Sequence, residues 1–159
     1  MSTELSLRDK IAVHASRLGP SGLSPYAPGT VGSAVAIALA PIFFMPLPMW
    51  LRIVVLAAIF CWGSIQITRA EQILGSKDPG EIVIDELVGQ WVTILPFATL
   101  SLWWMVLAFL LFRLFDITKP YPVKDSESWL SGGWGVMIDD VIAGFYAMVC
   151  IGVLRFIIL

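Results

Sequence analysis

Two pairs of neighbouring acids stand out in this chain, Asp85-Glu86 and Asp139-Asp140, each at the mouth of an apolar run. Carboxylates set side by side at the start of an apolar segment repel one another and lose hydration. They keep their charge there only with a cation or shared protons. Oxygen donors of this kind suit Mg²⁺, a hard ion that retains several waters and is commonly shared with a phosphate. No cluster of Cys or His argues for Zn²⁺. Asp85, Glu86, Asp139 and Asp140 are therefore the candidate metal ligands. Asp78 and Glu81, slightly upstream, are adequately explained as a solvated first turn that complements the helix dipole. That explanation is weaker for Asp85 and Glu86, which adjoin Leu87, Val88 and Gly89.

Two other stretches carry groups that suit an anion. Gly22-Leu-Ser-Pro-Tyr-Ala-Pro-Gly-Thr-Val-Gly-Ser33 lies at the entry to an apolar run. Backbone N–H groups at a helix start, with the Thr30 and Ser33 hydroxyls, would receive a phosphate. The same stretch would also serve as a cap and turn at a membrane entry. Arg113-Leu-Phe-Asp-Ile-Thr-Lys-Pro-Tyr-Pro122 ends a long apolar run, and its two prolines stop the helix. Arg113 and Lys119 read either as phosphate ligands or as interfacial anchors, and Asp116 as a salt-bridge partner of one of them. Cys61 and Cys150 sit inside apolar runs in no metal-ligand spacing and read as small core residues. His14, the only histidine, reads as a packed or interfacial residue.

The elements that hold these groups must be hydrophobic. The chain is 58% hydrophobic and 14% charged. A soluble domain carries about a quarter charged residues, so this one has too little polar surface to cover a water-soluble core. A net charge of −2 carries no signal for nucleic acid. Apolar runs cover residues 31–47, 50–67, 87–115 and 141–159, with polar stretches at 68–86 and 116–140. Pro46 and Pro48 turn the first two runs into a helical hairpin. Run 87–115 would be about 43 Å long as one straight helix, more than a ~30 Å hydrocarbon core requires. Divided near Pro96 and Ser101 it makes a second hairpin. That division puts both polar stretches on one side. The placement of Arg8, Lys10, Arg17, Arg69, Lys77, Arg113, Lys119 and Lys124 favours it, because basic residues collect in the cytoplasm. Arg52 and Arg155 then fall at the far ends, where long side chains can snorkel outwards.

The expected fold is thus an all-α integral membrane protein of one domain spanning residues 1–159. It has five hydrophobic helices, two hairpins plus a C-terminal helix, with the N-terminus inside and the C-terminus outside. Residues 7–18 place Leu7, Ile11, Ala15 and Leu18 at helical spacing between charges, which predicts a short amphipathic helix on the inner surface. The opening Met1–Lys10 has no apolar h-region, so no cleavable signal peptide is expected.

Four strings in this order resemble the phosphatidylglycerophosphatase A family of bacteria: Ser24-Pro-Tyr-Ala-Pro-Gly-Thr-Val-Gly-Ser33, Asp78-Pro-Gly-Glu-Ile-Val-Ile-Asp-Glu86, Phe112-Arg-Leu-Phe-Asp-Ile-Thr-Lys-Pro-Tyr-Pro122 and Gly132-Gly-Trp-Gly-Val-Met-Ile-Asp-Asp-Val141. The resemblance implies a helical inner-membrane enzyme that hydrolyses phosphatidylglycerophosphate to phosphatidylglycerol and phosphate with Mg²⁺. The thiol phosphatase loop Cys-x₅-Arg and the Asp-x-Asp nucleophile are absent, which favours direct attack by an activated water. Asp85, Glu86, Asp139 and Asp140 would hold the ion, Asp116 would be a further ligand or base, and Arg113 and Lys119 would clamp the phosphate. The partners implied are the bilayer and its phospholipid, with no nucleic acid and no obligate protein partner. The rival readings are an ion- or proton-coupled transporter, which needs acids near the bilayer midplane, and a lipid-binding protein without turnover.

Overall fold

In the computed structural model, which describes residues 6–158, every regular element is a helix. Helix α1 (Leu7–Ser16) starts at a capping box in which Ser6 and Asp9 satisfy each other's backbone N–H groups. A short 3₁₀ turn leads to α2 (Pro28–Phe43), which has a proline in its first turn. Helix α3 (Met49–Leu74) ends on Gly75 in the left-handed conformation, φ 70°. Then follow α4 (Ile84–Thr93), α5 (Leu102–Thr118), the single turn α6 (Val123–Ser126) and α7 (Gly133–Ile158).

Helices α3 and α7 each have 26 residues, about 39 Å at the α-helical rise. Both are long and apolar enough to cross a membrane, with mean hydropathy 1.8 and 2.3 in their most apolar windows. The core helix of a soluble protein would be mostly buried, yet only 28% and 22% of those windows is. Their outward flanks leave Ile53, Val54, Trp62, Phe145, Val149 and Val153 bare, and exposed apolar surface of this kind marks a membrane or a partner contact.

Helix α4 is the reverse case. It is ten residues long, and all but Val92 are buried. At about 15 Å it is too short to cross a bilayer unaided. It sits in the centre, in contact with α2, α3, α5 and α7. Trp91 anchors it to α2: the indole stacks on Phe44 at 4.7 Å and its N–H donates to the Ala36 carbonyl at 2.9 Å. Such a ring pair contributes about 0.5–1.5 kcal/mol beyond the area it buries.

Several expectations need correction. Run 87–115 does divide, but α4 stops at Thr93 and α5 begins only at Leu102, so the two arms are unequal. The last apolar run starts at residue 141 in the sequence, whereas helix α7 already starts at Gly133, within the polar stretch. Arg52 does not snorkel. It is 3% exposed, and its guanidinium donates to the carbonyls of Leu47 (2.9 Å), Leu95 (2.9 Å), Phe97 (3.0 Å) and Met45. These carbonyls lie in the turns after α2 and α4, where helix ends leave acceptors unpaired. Arg155 is drawn in as well, its guanidinium 5.4 Å from both the Phe97 and Trp104 rings. Cys61 is exposed and Cys150 half-buried, so neither is a core thiol. In α1 the buried residues are Ala12, Val13 and Ser16, while Leu7 and Ile11 face outwards.

Candidate active site

The positions of the acids follow from how closely α4 and α7 approach. Asp85 and Gly89 are one turn apart on α4, and so are Asp140 and Gly144 on α7. The two glycines meet: a Cβ on Gly144 would lie 2.3 Å from the Gly89 carbonyl oxygen. Thr93 joins the same contact, its hydroxyl 3.0 Å from the Gly89 carbonyl and 3.3 Å from that of Gly144. One turn before the crossing, the carboxylates face each other. Asp85, Glu86 and Asp140 each bring an oxygen within 4.8 Å of the other two. Asp85 and Asp140 are buried, and Glu86 is 9% exposed. Asp85 Oδ1, Glu86 Oε2 and Asp140 Oδ2 have no hydrogen-bond partner among the described residues. Three buried carboxylates with an orphaned oxygen each form a donor set for a hard cation.

Cations flank the triad. Arg113, near the end of α5, pairs with Asp116, lies 3.6 Å from Glu86 Oε1 and reaches the Ser33 hydroxyl at 3.3 Å. Gly29 makes room for this contact, since a Cβ there would stand 2.2 Å from Glu86 Oε1. Lys119 lies 2.6 Å from Asp139 Oδ2 and 3.6 Å from Glu127 Oε2. Burial works against its charge, but the hydrogen bond to Asp139 and the neighbouring carboxylates outweigh that and raise its pKa. Lys119 is therefore a fixed cation and not a base. Glu127 also accepts from Lys77 at 2.9 Å, a bond that lowers the carboxyl pKa and raises that of the lysine. The same pair joins the loop after α3 to the segment before α7. A cavity of about 360 Å³ opens over the triad, lined also by Asp78, Arg113, Asp116, Lys119 and Asp139.

The family model described as Phosphatidylglycerophosphatase A matches residues 14–155. The chain belongs to that family. Phosphatidylglycerophosphatase A of Escherichia coli is 36% identical over 138 residues, which is 86% of this chain and 77% of that one. Phosphatidylglycerophosphatase A of Haemophilus influenzae is 35% identical over 153 residues, 96% of this chain and 93% of that one. A Bacteroides thetaiotaomicron protein with the provisional name phosphatidylinositol-3-phosphatase is 39% identical over 144 residues, 87% and 89% of the two chains. No solved structure matches.

The residues singled out by sequence separate into three groups in the structure. Asp85, Glu86 and Asp140 meet as one cluster. Asp116, Asp139, Arg113 and Lys119 line the same cavity as two ion pairs, so Asp139 bonds a cation and stands apart from the other three carboxylates. Ser33 does not line the cavity; its hydroxyl donates to the Gly29 carbonyl at 2.8 Å and meets Arg113 from behind. Thr30 is half-buried and does not line the cavity either. Sequence reasoning missed Gly29, Gly89 and Gly144, and also Gln90, which is fully buried on α4 with neither amide end partnered among the described residues. The repeated Asp-x₃-Gly spacing was the available signal for Gly89 and Gly144; for Gln90 it was the cost of an amide inside an apolar run. Both cysteines lie outside the cavity. Replacing Cys61 and Cys150 together by Ser is expected to leave turnover within about twofold. An inactive but folded double variant would point to a thiol nucleophile.

Proposed function

We propose that this chain removes the terminal phosphate of phosphatidylglycerophosphate, releasing phosphatidylglycerol and inorganic phosphate at the cytoplasmic face of a bacterial inner membrane. The observation that carries this reading is the buried triad of orphaned carboxylates beside two cations in a chain of this family. Asp85, Glu86 and Asp140 would hold Mg²⁺, which when bound supplies a Lewis acid for the phosphate and lowers the pKa of a coordinated water. Arg113 and Lys119 receive the remaining phosphate oxygens. Asp116 and Asp139 hold those two cations in place beforehand, and Asp116 is also the nearest candidate for a further ligand or a proton acceptor. The lipid tails stay in the bilayer while the headgroup phosphate enters the cavity. A proton relay fits less well. The charged cavity lies at one end of the helices, and the other end is closed by Arg52 and the carbonyls it binds.

Release of phosphate from defined lipids by purified protein tests the reading. Exhaustive chelation is expected to lower the rate at least a hundredfold, with recovery on Mg²⁺ and little on Ca²⁺, whose larger shell and looser geometry suit this set less well. Full activity after chelation would remove the metal from the mechanism. Phosphatidylinositol 3-phosphate belongs in the same assay, because the Bacteroides thetaiotaomicron relative bears that substrate's name. Preference for it would move the substrate assignment and leave the chemistry intact. No release from either lipid would refute the function.

The proposed topology is one membrane-embedded domain of five hydrophobic helices, α2, α3, α4, α5 and α7, in which α4 reaches only part way. The Lys77–Glu127 bridge supports a common side for the two polar loops. Single cysteines introduced beside Lys77 and Lys124 are expected to react from the cytoplasmic side of sealed vesicles, and one at Ala98 from the other. Labelling of the two lysine loops from opposite sides would defeat this arrangement.

A further inference from the structure

The outward face of α1 has no role in the site or in the bundle. Leu7 and Ile11 lie one turn apart and are 74% and 47% exposed, although both are large and apolar. The opposite face, Ala12, Val13 and Ser16, is buried, and α1 packs on α3. Around the bare stripe stand Arg8 and Lys10, both exposed and without an ion pair among the described residues. The one acid of the helix, Asp9, is turned away to Arg69, 2.7 Å from its Nε. An apolar stripe flanked by cations that have no ion pair among the described residues, with the helix's own acid turned aside, is complementary to an anionic lipid surface.

The helix is also tied to the active site. The Ser16 carbonyl at its C-terminus accepts from the Val83 N–H at 2.8 Å. Arg17, the next residue, pairs with Glu81 at 2.7 Å. Segment 78–83 runs directly into Asp85 and Glu86. A displacement of α1 is therefore passed to the loop that sets two of the three clustered carboxylates.

We propose that α1 docks on anionic lipid headgroups and that this docking stabilises the 78–83 loop, so that an anionic bilayer activates the enzyme. The proposal rests on the membrane-facing reading of the site given above. It names the regulator by chemistry: net-negative phospholipid in the cytoplasmic leaflet, whether or not it is substrate or product.

The test uses full-length protein with Cys61→Ser and Cys150→Ser, and a spin label on Ile11→Cys. The protein is placed in nanodiscs of phosphatidylcholine with or without about 30% phosphatidylserine. Collision with dissolved oxygen reports lipid, and collision with a water-soluble nickel chelate reports solvent. Phosphatidylserine is expected to raise oxygen collision and suppress nickel collision. Arg8→Gln with Lys10→Gln should abolish that shift. In parallel, phosphatidylserine should raise turnover of unlabelled protein several-fold, and the same double substitution should remove the increase while leaving the rate in phosphatidylcholine unchanged. A label that stays nickel-accessible in both membranes would overturn the docking surface. A label that buries with no change in rate would overturn its link to the site. Because the label reads depth without turnover, loss of the proposed activity would not obscure the first result.

Discussion

Asp85→Asn is expected to lower turnover by roughly 10²–10³-fold, as is Asp140→Asn, and the double variant should be little worse than either alone. Each substitution keeps the shape of the side chain and removes one charge from a cluster whose three oxygens lie within 4.8 Å. Groups that act through a single bound ion fail together, so the second loss finds little left to remove. Folding should survive. At an effective dielectric of 20, two unit charges 4 Å apart repel by about 4 kcal/mol, so without metal the loss of one carboxylate relieves strain. Rates at saturating Mg²⁺, paired with thermal unfolding in chelator, decide the matter. Near-normal rates in both single variants would reduce these residues to polar helix starts. Lys119→Ala should behave differently, weakening phosphate binding while metal dependence stays closer to normal.

A single methyl group should do comparable damage from a position that touches no substrate. Gly144→Ala would place its Cβ 2.3 Å from the Gly89 carbonyl oxygen, a backbone atom that cannot rotate aside. Relief requires the two helices to part by about 1 Å, because heavy atoms need some 3.4 Å or more. The carboxylates one turn away would part with them, and a misplacement of that size costs about a hundredfold in rate. Gly152→Ala on the same helix is the control. Its added Cβ meets nothing within 4 Å, and turnover should not change. If Gly144→Ala ran at the wild-type rate, the α4–α7 crossing would not be what sets the triad.

The candidate metal-binding positions were legible because charge is expensive in an apolar setting and so marks itself. Asp85, Glu86 and the pair Asp139–Asp140 could be picked out from their neighbours alone. The choice between Asp139 and Asp140 could not. Adjacent residues on a helix point about 100° apart, and only the placement of α4 against α7 decides which one meets Asp85 and which meets Lys119. Arg52 was misread for the same reason. Its neighbours in sequence suggest an interfacial arginine, whereas the acceptors that hold it at Leu95 and Phe97 belong to a distant turn. Periodicity found the α1 helix, but the helix ends at Ser16, and Leu18, expected on the same stripe as Leu7 and Ile11, lies beyond it and packs inwards. Periodicity could not say which face the bundle takes, because Ala12, Val13 and Ser16 form an equally regular stripe.

Arg52 also imposes an order on biogenesis. A guanidinium surrounded by apolar groups needs every acceptor it can find. Two of its four carbonyls, Met45 and Leu47, are already made when the α2–α3 hairpin leaves the ribosome. The other two, at Leu95 and Phe97, follow more than forty residues later. Until then the Arg52 guanidinium has only two of its four native acceptors. The arrival of the α4–α5 turn completes the set and locks the two hairpins to each other. A chain that stops after α3 would lack two of the four carbonyls that hold Arg52.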